Sequence, residues 1–170
     1  MKNLFLTGRP GIGKTTLILK LMDVLVERAG GFFTREVRES GQRVGFKIQD
    51  LRGPEGIMAH IDHPSPYRVS RYGVDVQTLE AIALPALEWA LRESPWVVMD
   101  ELGRMELHSR PFQEMVLRVL DSPKRVLGVI QQASNPFLNA IRRRQDIHIF
   151  TVTPENRDHL LPLLKEALRD

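Results

Sequence analysis

Two periodicities alternate along the chain. Short apolar runs at Asn3-Leu4-Phe5-Leu6-Thr7, Trp96-Val97-Val98-Met99 and Arg125-Val126-Leu127-Gly128-Val129-Ile130 predict strands covered on both faces. Between them, apolar residues recur every three to four positions. Leu17, Ile18, Leu21, Met22 and Leu25 predict a helix over 16–28, ended by Gly30-Gly31. Leu79, Ile82, Ala83, Ala86 and Ala90 predict a second helix over 77–93, kinked at Pro85. Phe112, Met115, Val116, Val119 and Leu120 predict a third, opened by Ser109 and Pro111. A short helix follows over 136–144, then a strand over 146–152. Thr153 and Pro154 open a last helix with Leu160, Leu161, Leu164 and Leu168 on its core face and a kink at Pro162.

The stretch between the first two helices has a different pattern. Residues 32–39 and 42–50 read as strands joined by Ser40-Gly41, a two-residue hairpin signal. Neither face of this hairpin is apolar throughout, which places it near a sheet edge or along a cleft. Arg35, Glu36 and Arg38 then either meet a substrate or face solvent. Residues 52–67 carry Gly53-Pro54, Gly56, Pro64 and Pro66, and predict a loop with one short strand over 57–61. Together the elements predict an α/β fold: three layers, doubly wound, with a mainly parallel sheet, a β-hairpin extension and one domain over 1–170.

Composition narrows the function classes. With 170 residues, 42% hydrophobic and 26% charged, the chain can bury an ordinary globular core. The net charge of +3 is mild, and Arg142-Arg143-Arg144 is the one dense basic cluster, so nothing argues strongly for nucleic acid. The absence of cysteine excludes disulfides and cysteine metal sites. No apolar run approaches the ~20 residues of a membrane span, and the N-terminus lacks a signal-peptide pattern, so a cytoplasmic protein is expected. His60 and His63 lack a third ligand in register.

The chemistry concentrates after the first strand. Gly8-Arg9-Pro10-Gly11-Ile12-Gly13-Lys14-Thr15 fits the phosphate-binding loop pattern at every fixed position, between a predicted strand and a predicted helix. Glycines let backbone N–H groups close on phosphate oxygens, and the helix N-terminus adds donors and partial positive charge. Lys14 would reach the β- and γ-phosphates, and the Thr15 hydroxyl would ligate Mg²⁺.

The run Trp96–Met99 ends in Asp100-Glu101, the pattern of a Walker B strand. Asp100 would hold Mg²⁺ opposite Thr15, and Glu101 would accept a hydrogen bond from an attacking water. Arg104 leaves the same loop and would neutralise charge on the γ-phosphate, or else pair with Glu106 at the surface. Gln131 and Gln132 end the strand over 125–130. If that strand lies between those carrying Lys14 and Asp100, Gln131 or Gln132 is a candidate for orienting water. Arg142 or Arg143 could act as a charge-stabilising finger, in cis or across a dimer. The alternatives are helix C-terminal cations and a solvated face.

These segments together resemble a nucleoside-triphosphatase family of archaea, thermophilic bacteria and animals that includes the cancer-related nucleoside triphosphatases. The resemblance runs nearly end to end. It rests on Gly8–Thr16, on Gly31-Phe32-Phe33-Thr34-Arg35-Glu36-Val37-Arg38, on Gly45-Phe46 and on Tyr72-Gly73-Val74-Asp75-Val76. It rests also on Asp100-Glu101-Leu102-Gly103-Arg104-Met105-Glu106-Leu107 and on Thr153-Pro154-Glu155-Asn156-Arg157. The resemblance implies a P-loop fold and Mg²⁺-dependent hydrolysis of the γ-phosphate of several nucleoside triphosphates (ATP, GTP, CTP and UTP). It implies nucleotide contacts from Gly8 through Thr16, and from a second segment of Val97, Val98, Met99, Asp100, Glu101, Leu102, Gly103 and Arg104. The family usually has lysine where this chain has Arg104, and arginine keeps the charge without the geometry.

Two rival functions fit parts of the pattern. One is a nucleotide or nucleoside kinase, with the hairpin, the loop over 52–67 and Arg142–Arg144 forming an acceptor pocket and lid. The other is a nucleotide-dependent switch or nucleic-acid-associated module. No guanine-reading N-K-x-D motif occurs, so base preference is unread.

Overall fold

The computed structural model describes residues 2–25 and 27–169. In chain order the elements are β1 (Asn3–Thr7), α1 (Lys14–Met22), β2 (Ala29–Glu39), β3 (Gln42–Asp50), β4 (Glu55–His60), β5 (Arg68–Val69), β6 (Tyr72–Val74), α2 (Val76–Glu93), β7 (Trp96–Leu102), α3 (Arg110–Asp121), β8 (Arg125–Ile130), α4 (Pro136–Arg142), β9 (Ile147–Thr151) and α5 (Arg157–Arg169). Short 3-10 turns lie at Asp23–Leu25 and Met105–His108.

The strands form one sheet in the order β5-β6-β4-β3-β2-β7-β8-β1-β9. From β2 to β9 neighbours run parallel. From β2 outward through β3, β4, β6 and β5 they run antiparallel. The extension is thus larger than a hairpin, because β4, β5 and β6 add three strands to it.

Alternation along the parallel strands explains the three layers. Phe5, Val97 and Met99 pack on α2, α3 and α4 through Leu79, Ala83, Phe112, Val116 and Leu138. Leu4, Leu6, Trp96 and Val98 pack on the other face, against Leu17, Ile18 and Leu21 of α1 and Leu164 and Leu168 of α5. Strands clothed on both sides need the continuous apolar runs read above. Ser40 and Gly41 both have positive φ, 51° and 79°, as a two-residue hairpin turn of the primed type requires.

Several expectations change. The first helix is shorter than predicted, ending at Met22 with one 3-10 turn to Leu25; position 26 lies outside the described residues. Gly30-Gly31 does not end it but lies in β2. A Cβ at Gly30 would fall 2.8 Å from the Ala90 Cβ, and one at Gly31 would fall 2.1 Å from the Val98 carbonyl oxygen. These glycines let β2 lie close under α2 and beside β7. At the other end, α5 opens at Arg157. Thr153 and Asn156 cap the preceding turn reciprocally: the Thr153 N–H donates to Asn156 Oδ1 at 2.8 Å, and the Asn156 N–H to Thr153 Oγ1 at 3.2 Å. α2 continues unbroken through Pro85. No helix among the described residues is long and apolar enough to cross a membrane.

Candidate active site

A cleft of about 720 Å³ opens where β1, β7 and β8 end and the β2–β3 hairpin rises beside them. This is the carboxyl edge of the parallel strands, where open α/β sheets bind ligands. The turn between β1 and α1 forms one wall, with Gly8, Pro10, Gly11, Gly13, Lys14, Thr15 and Thr16 on it. Arg9 is exposed at the tip of this turn, and Ile12 is buried beneath it. Lys14 Nζ donates to the carbonyls of Gly8 at 2.6 Å and Arg9 at 3.2 Å, so its ammonium is folded over the loop. Arg157, from the start of α5, donates to the Ile12 carbonyl at 3.4 Å and braces the loop from behind.

β7 delivers the acids. Asp100 falls on the same side of the strand as Trp96 and Val98, toward α1. It is only 2% exposed, and its Oδ2 has no hydrogen-bond partner. Burial, with help from the neighbouring Glu101 charge, pushes its pKa up to about 7, against the opposing pull of Lys14. Past Asp100 the β7–β8 register slips: Asp100 opposes Val129 and Leu102 opposes Ile130. Glu101 is the extra residue of this bulge, a device that re-aims a side chain at a strand end. It lines the cleft and is half-buried.

β8 does lie between β7 and β1, so Gln131 stands beside the acids. Its Nε2 donates to Glu101 Oε1 at 2.9 Å, and its Oε1 accepts the Arg104 N–H at 3.1 Å. Gln132 also lines the cleft. The Arg104 side chain is exposed and faces the cleft, and it forms no ion pair with Glu106. That carboxyl is instead buried, 4% exposed, and accepts the Gly103 N–H at 3.0 Å; burial pushes its pKa up to about 8. Val97, Val98 and Met99 do not reach the cleft, because their side chains fill the two cores under the helices. Leu102 is likewise buried in the core, and Gly103 packs against the Gln131 amide.

The arginine triplet does not line the cleft. Arg142 turns inward, donating to the carbonyls of Gln131 and Ala133 and to Asn139 Oδ1, and so ties down the turn after β8. Arg143 is exposed. Arg144 is paired with Asp121 and Asp146, each at 2.9 Å. Nor does the cluster form a free basic patch, since two of its three charges are engaged.

The far wall is only partly legible in the sequence. Arg35 and Glu36 of the hairpin line the cleft, as do Arg43, Phe46, Ser70 and Tyr72. Arg43 Nε donates to the Tyr72 hydroxyl at 2.9 Å, and Phe46 meets Tyr72 edge-on with ring centroids 5.2 Å apart. No local pattern marks Arg43, Phe46 or Tyr72; their only signals are Gly45-Phe46 and Tyr72-Gly73 among the family-like segments, whereas Arg35 and Glu36 are candidates from the hairpin pattern.

The donor set fits Mg²⁺. Among the described residues no group of three or more acids or histidines is arranged to hold a metal ion by itself, at His60 and His63 or elsewhere. The cleft offers instead one buried, unpartnered carboxylate oxygen and the Thr15 hydroxyl. An ion that keeps several waters and takes substrate phosphates needs few protein ligands.

Comparison with known proteins agrees with this fold. A family model described as NTPase matches residues 3–164. The nucleoside-triphosphatase THEP1 of Thermotoga petrophila is 49% identical over 166 residues, covering 98% of this chain and 92% of that protein. The human cancer-related nucleoside-triphosphatase is 40% identical, covering 95% and 93%. The crystal structure of THEP1 from Aquifex aeolicus superposes with a TM-score of 0.91 at 36% identity, over 99% of each chain. The chain belongs to this NTPase family.

Proposed function

We infer that the protein is a Mg²⁺-dependent nucleoside triphosphatase that hydrolyses ATP, GTP, CTP and UTP to the diphosphate and phosphate. The observation that carries the reading is the pair of acids at the end of β7: Asp100 with a buried, unpartnered oxygen, and Glu101 held by Gln131, both facing the Lys14 loop. Relatives named nucleoside-triphosphatases add support.

The loop N–H groups and the α1 N-terminus would bind the phosphates, and Lys14 would leave the Gly8 and Arg9 carbonyls for the β- and γ-phosphates. Thr15 and Asp100 would hold Mg²⁺, which when bound offsets the charge of the β- and γ-oxygens. Glu101 accepts a hydrogen bond from a water and aims it at the γ-phosphorus, in line with the leaving diphosphate. Gln131 fixes the Glu101 carboxylate so that one oxygen is committed to the protein and the other is left for water. The bond from water oxygen to γ-phosphorus forms, the bond to the β-bridging oxygen breaks, the diphosphate leaves with that electron pair, and the proton lost by the water passes to the Glu101 carboxylate and then to solvent. Broad base acceptance fits the absence of an N-K-x-D motif. A cytoplasmic location fits a cysteine-free chain acting on nucleotides.

The test is phosphate release from the four common triphosphates with Mg²⁺, with and without small phosphoryl acceptors. Release from all four, unchanged by acceptors, supports the reading. Transfer of labelled γ-phosphate that outpaces hydrolysis would assign a kinase instead.

A further inference from the structure

The hairpin wall carries a cation that the mechanism above does not use. β2 and β7 pair in parallel up to Phe33 opposite Asp100, where their ladder ends. β2 runs on to Glu39, so residues 34–39 overhang the β2–β7 ladder, while β7 itself continues only to Leu102. Arg35 stands two residues past the position opposite Asp100, about 7 Å further along the strand. There it lines the same cleft as Lys14, Asp100, Glu101 and Gln131.

Its guanidinium is held but not neutralised. It lies 4.7 Å from the centroid of the Phe33 ring, and Phe33 is anchored in the sheet at 7% exposure. The nearest acid in sequence, Glu36, is already engaged by Arg38 at 2.9 Å and Arg43 at 3.2 Å. Among the described residues no acid pairs with Arg35. Three other arginines are occupied: Arg43 by Tyr72 and Glu36, Arg142 by carbonyls, Arg144 by two aspartates. Arg104 also faces the cleft, but from the loop after β7 rather than from the hairpin wall.

The strand order gives the direction. The phosphate loop follows β1, Glu101 ends β7 two strands away, and β2 is the next strand beyond. A γ-phosphate facing Glu101 therefore has the loop on one side and the β2 overhang on the other.

We propose that Arg35 is a further catalytic residue, contacting the γ-phosphoryl oxygens in the transition state from within the same chain. It supplies charge and two parallel N–H donors, and neither takes nor gives a proton. The Phe33 ring suits a planar guanidinium better than an ammonium, so lysine is a poor substitute. This rests on the triphosphatase reading.

The test compares the parent with Arg35→Ala and Arg35→Lys in phosphate release. It also measures affinity for Mg²⁺–nucleoside diphosphate alone and with fluoroaluminate, a mimic of the transferring phosphoryl group. Arg35→Ala is expected to lower kcat about 100- to 1000-fold with KM within about threefold. It should retain diphosphate binding but lose the fluoroaluminate complex. Arg35→Lys should recover little, and added guanidinium ion should restore part of the Arg35→Ala rate. A kcat within about threefold of the parent, or a raised KM at parental kcat, overturns the proposal. Loss of diphosphate binding in Arg35→Ala overturns it too, because the effect would then be on the ground state. A parent that releases no phosphate from any triphosphate fails the triphosphatase reading and takes the proposal with it. A parent that turns over, matched by Arg35→Ala, sinks the proposal alone.

Discussion

Gln131 Nε2 donates to Glu101 Oε1 across 2.9 Å, while the Gln131 Oε1 accepts the Arg104 N–H at 3.1 Å. One amide thus joins the end of β8 to both the acid and the loop that follows it. Gly103 makes room for this amide, since a Cβ there would lie 2.3 Å from its carbon. Gly103→Ala should therefore displace Gln131 and release Glu101. We expect kcat to fall about tenfold or more, with nucleotide affinity nearly unchanged. Gln131→Ala should match it. Steady-state kinetics beside a fluorescent-nucleotide titration checks both.

Glu106 predicts a pH effect on stability. Its folded pKa, about 8, lies above the ordinary value of 4.5 because the carboxyl is buried. Between those values the unfolded chain releases a proton that the folded chain keeps. Stability therefore falls as pH rises from about 4.5 to about 8, by up to about 4–5 kcal/mol from this group. Glu106→Gln keeps an acceptor for the Gly103 N–H without the charge. Urea unfolding should place the variant near the parent at pH 5 and well above it at pH 8.5. Equal pH dependence of the two would remove Glu106 as the cause.

Asp100→Asn tests the metal assignment. The amide keeps the shape but not the charge of the buried, unpartnered oxygen. The Mg²⁺ concentration for half-maximal phosphate release should rise about tenfold or more. Chelating the metal from the parent should stop release, and added Mg²⁺ should restore it. Parental Mg²⁺ dependence in Asp100→Asn would place the ion elsewhere.

Gly31→Ala tests the tight contact of β2 with β7. Gly31 has φ +118°, and a Cβ would meet the Val98 carbonyl at 2.1 Å. Backbone cannot move aside as a flexible side chain can. A loss of about 3 kcal/mol or more is expected, seen as a clear drop in melting temperature.

The parallel half of the molecule is legible in the sequence because its signals are local. Each buried strand is a continuous apolar run, and Gly8–Thr15 and Asp100-Glu101 sit at strand ends by spacing alone. Gly30-Gly31 reads as a helix stop, but glycine also serves close packing, and the groups that demand it, Trp89, Ala90 and Val98, lie some sixty residues on. The cleft's far wall is opaque for the same reason. Arg43 meets Tyr72 across 29 positions, from a strand with no clean period to a buried one of only three residues. Arg142 looks free beside two other arginines, yet it is committed to carbonyls that only the fold brings near.

In the proposed mechanism Glu101 directs water onto a phosphoryl group held by the Lys14 loop. The direct measurement is single-turnover phosphate release by Glu101→Gln, beside its affinity for the Mg²⁺–triphosphate. The substituted amide would still accept from Gln131 but could not hold water as a carboxylate does. Release should slow at least about 100-fold with affinity within about threefold. Near-parental release would contradict it.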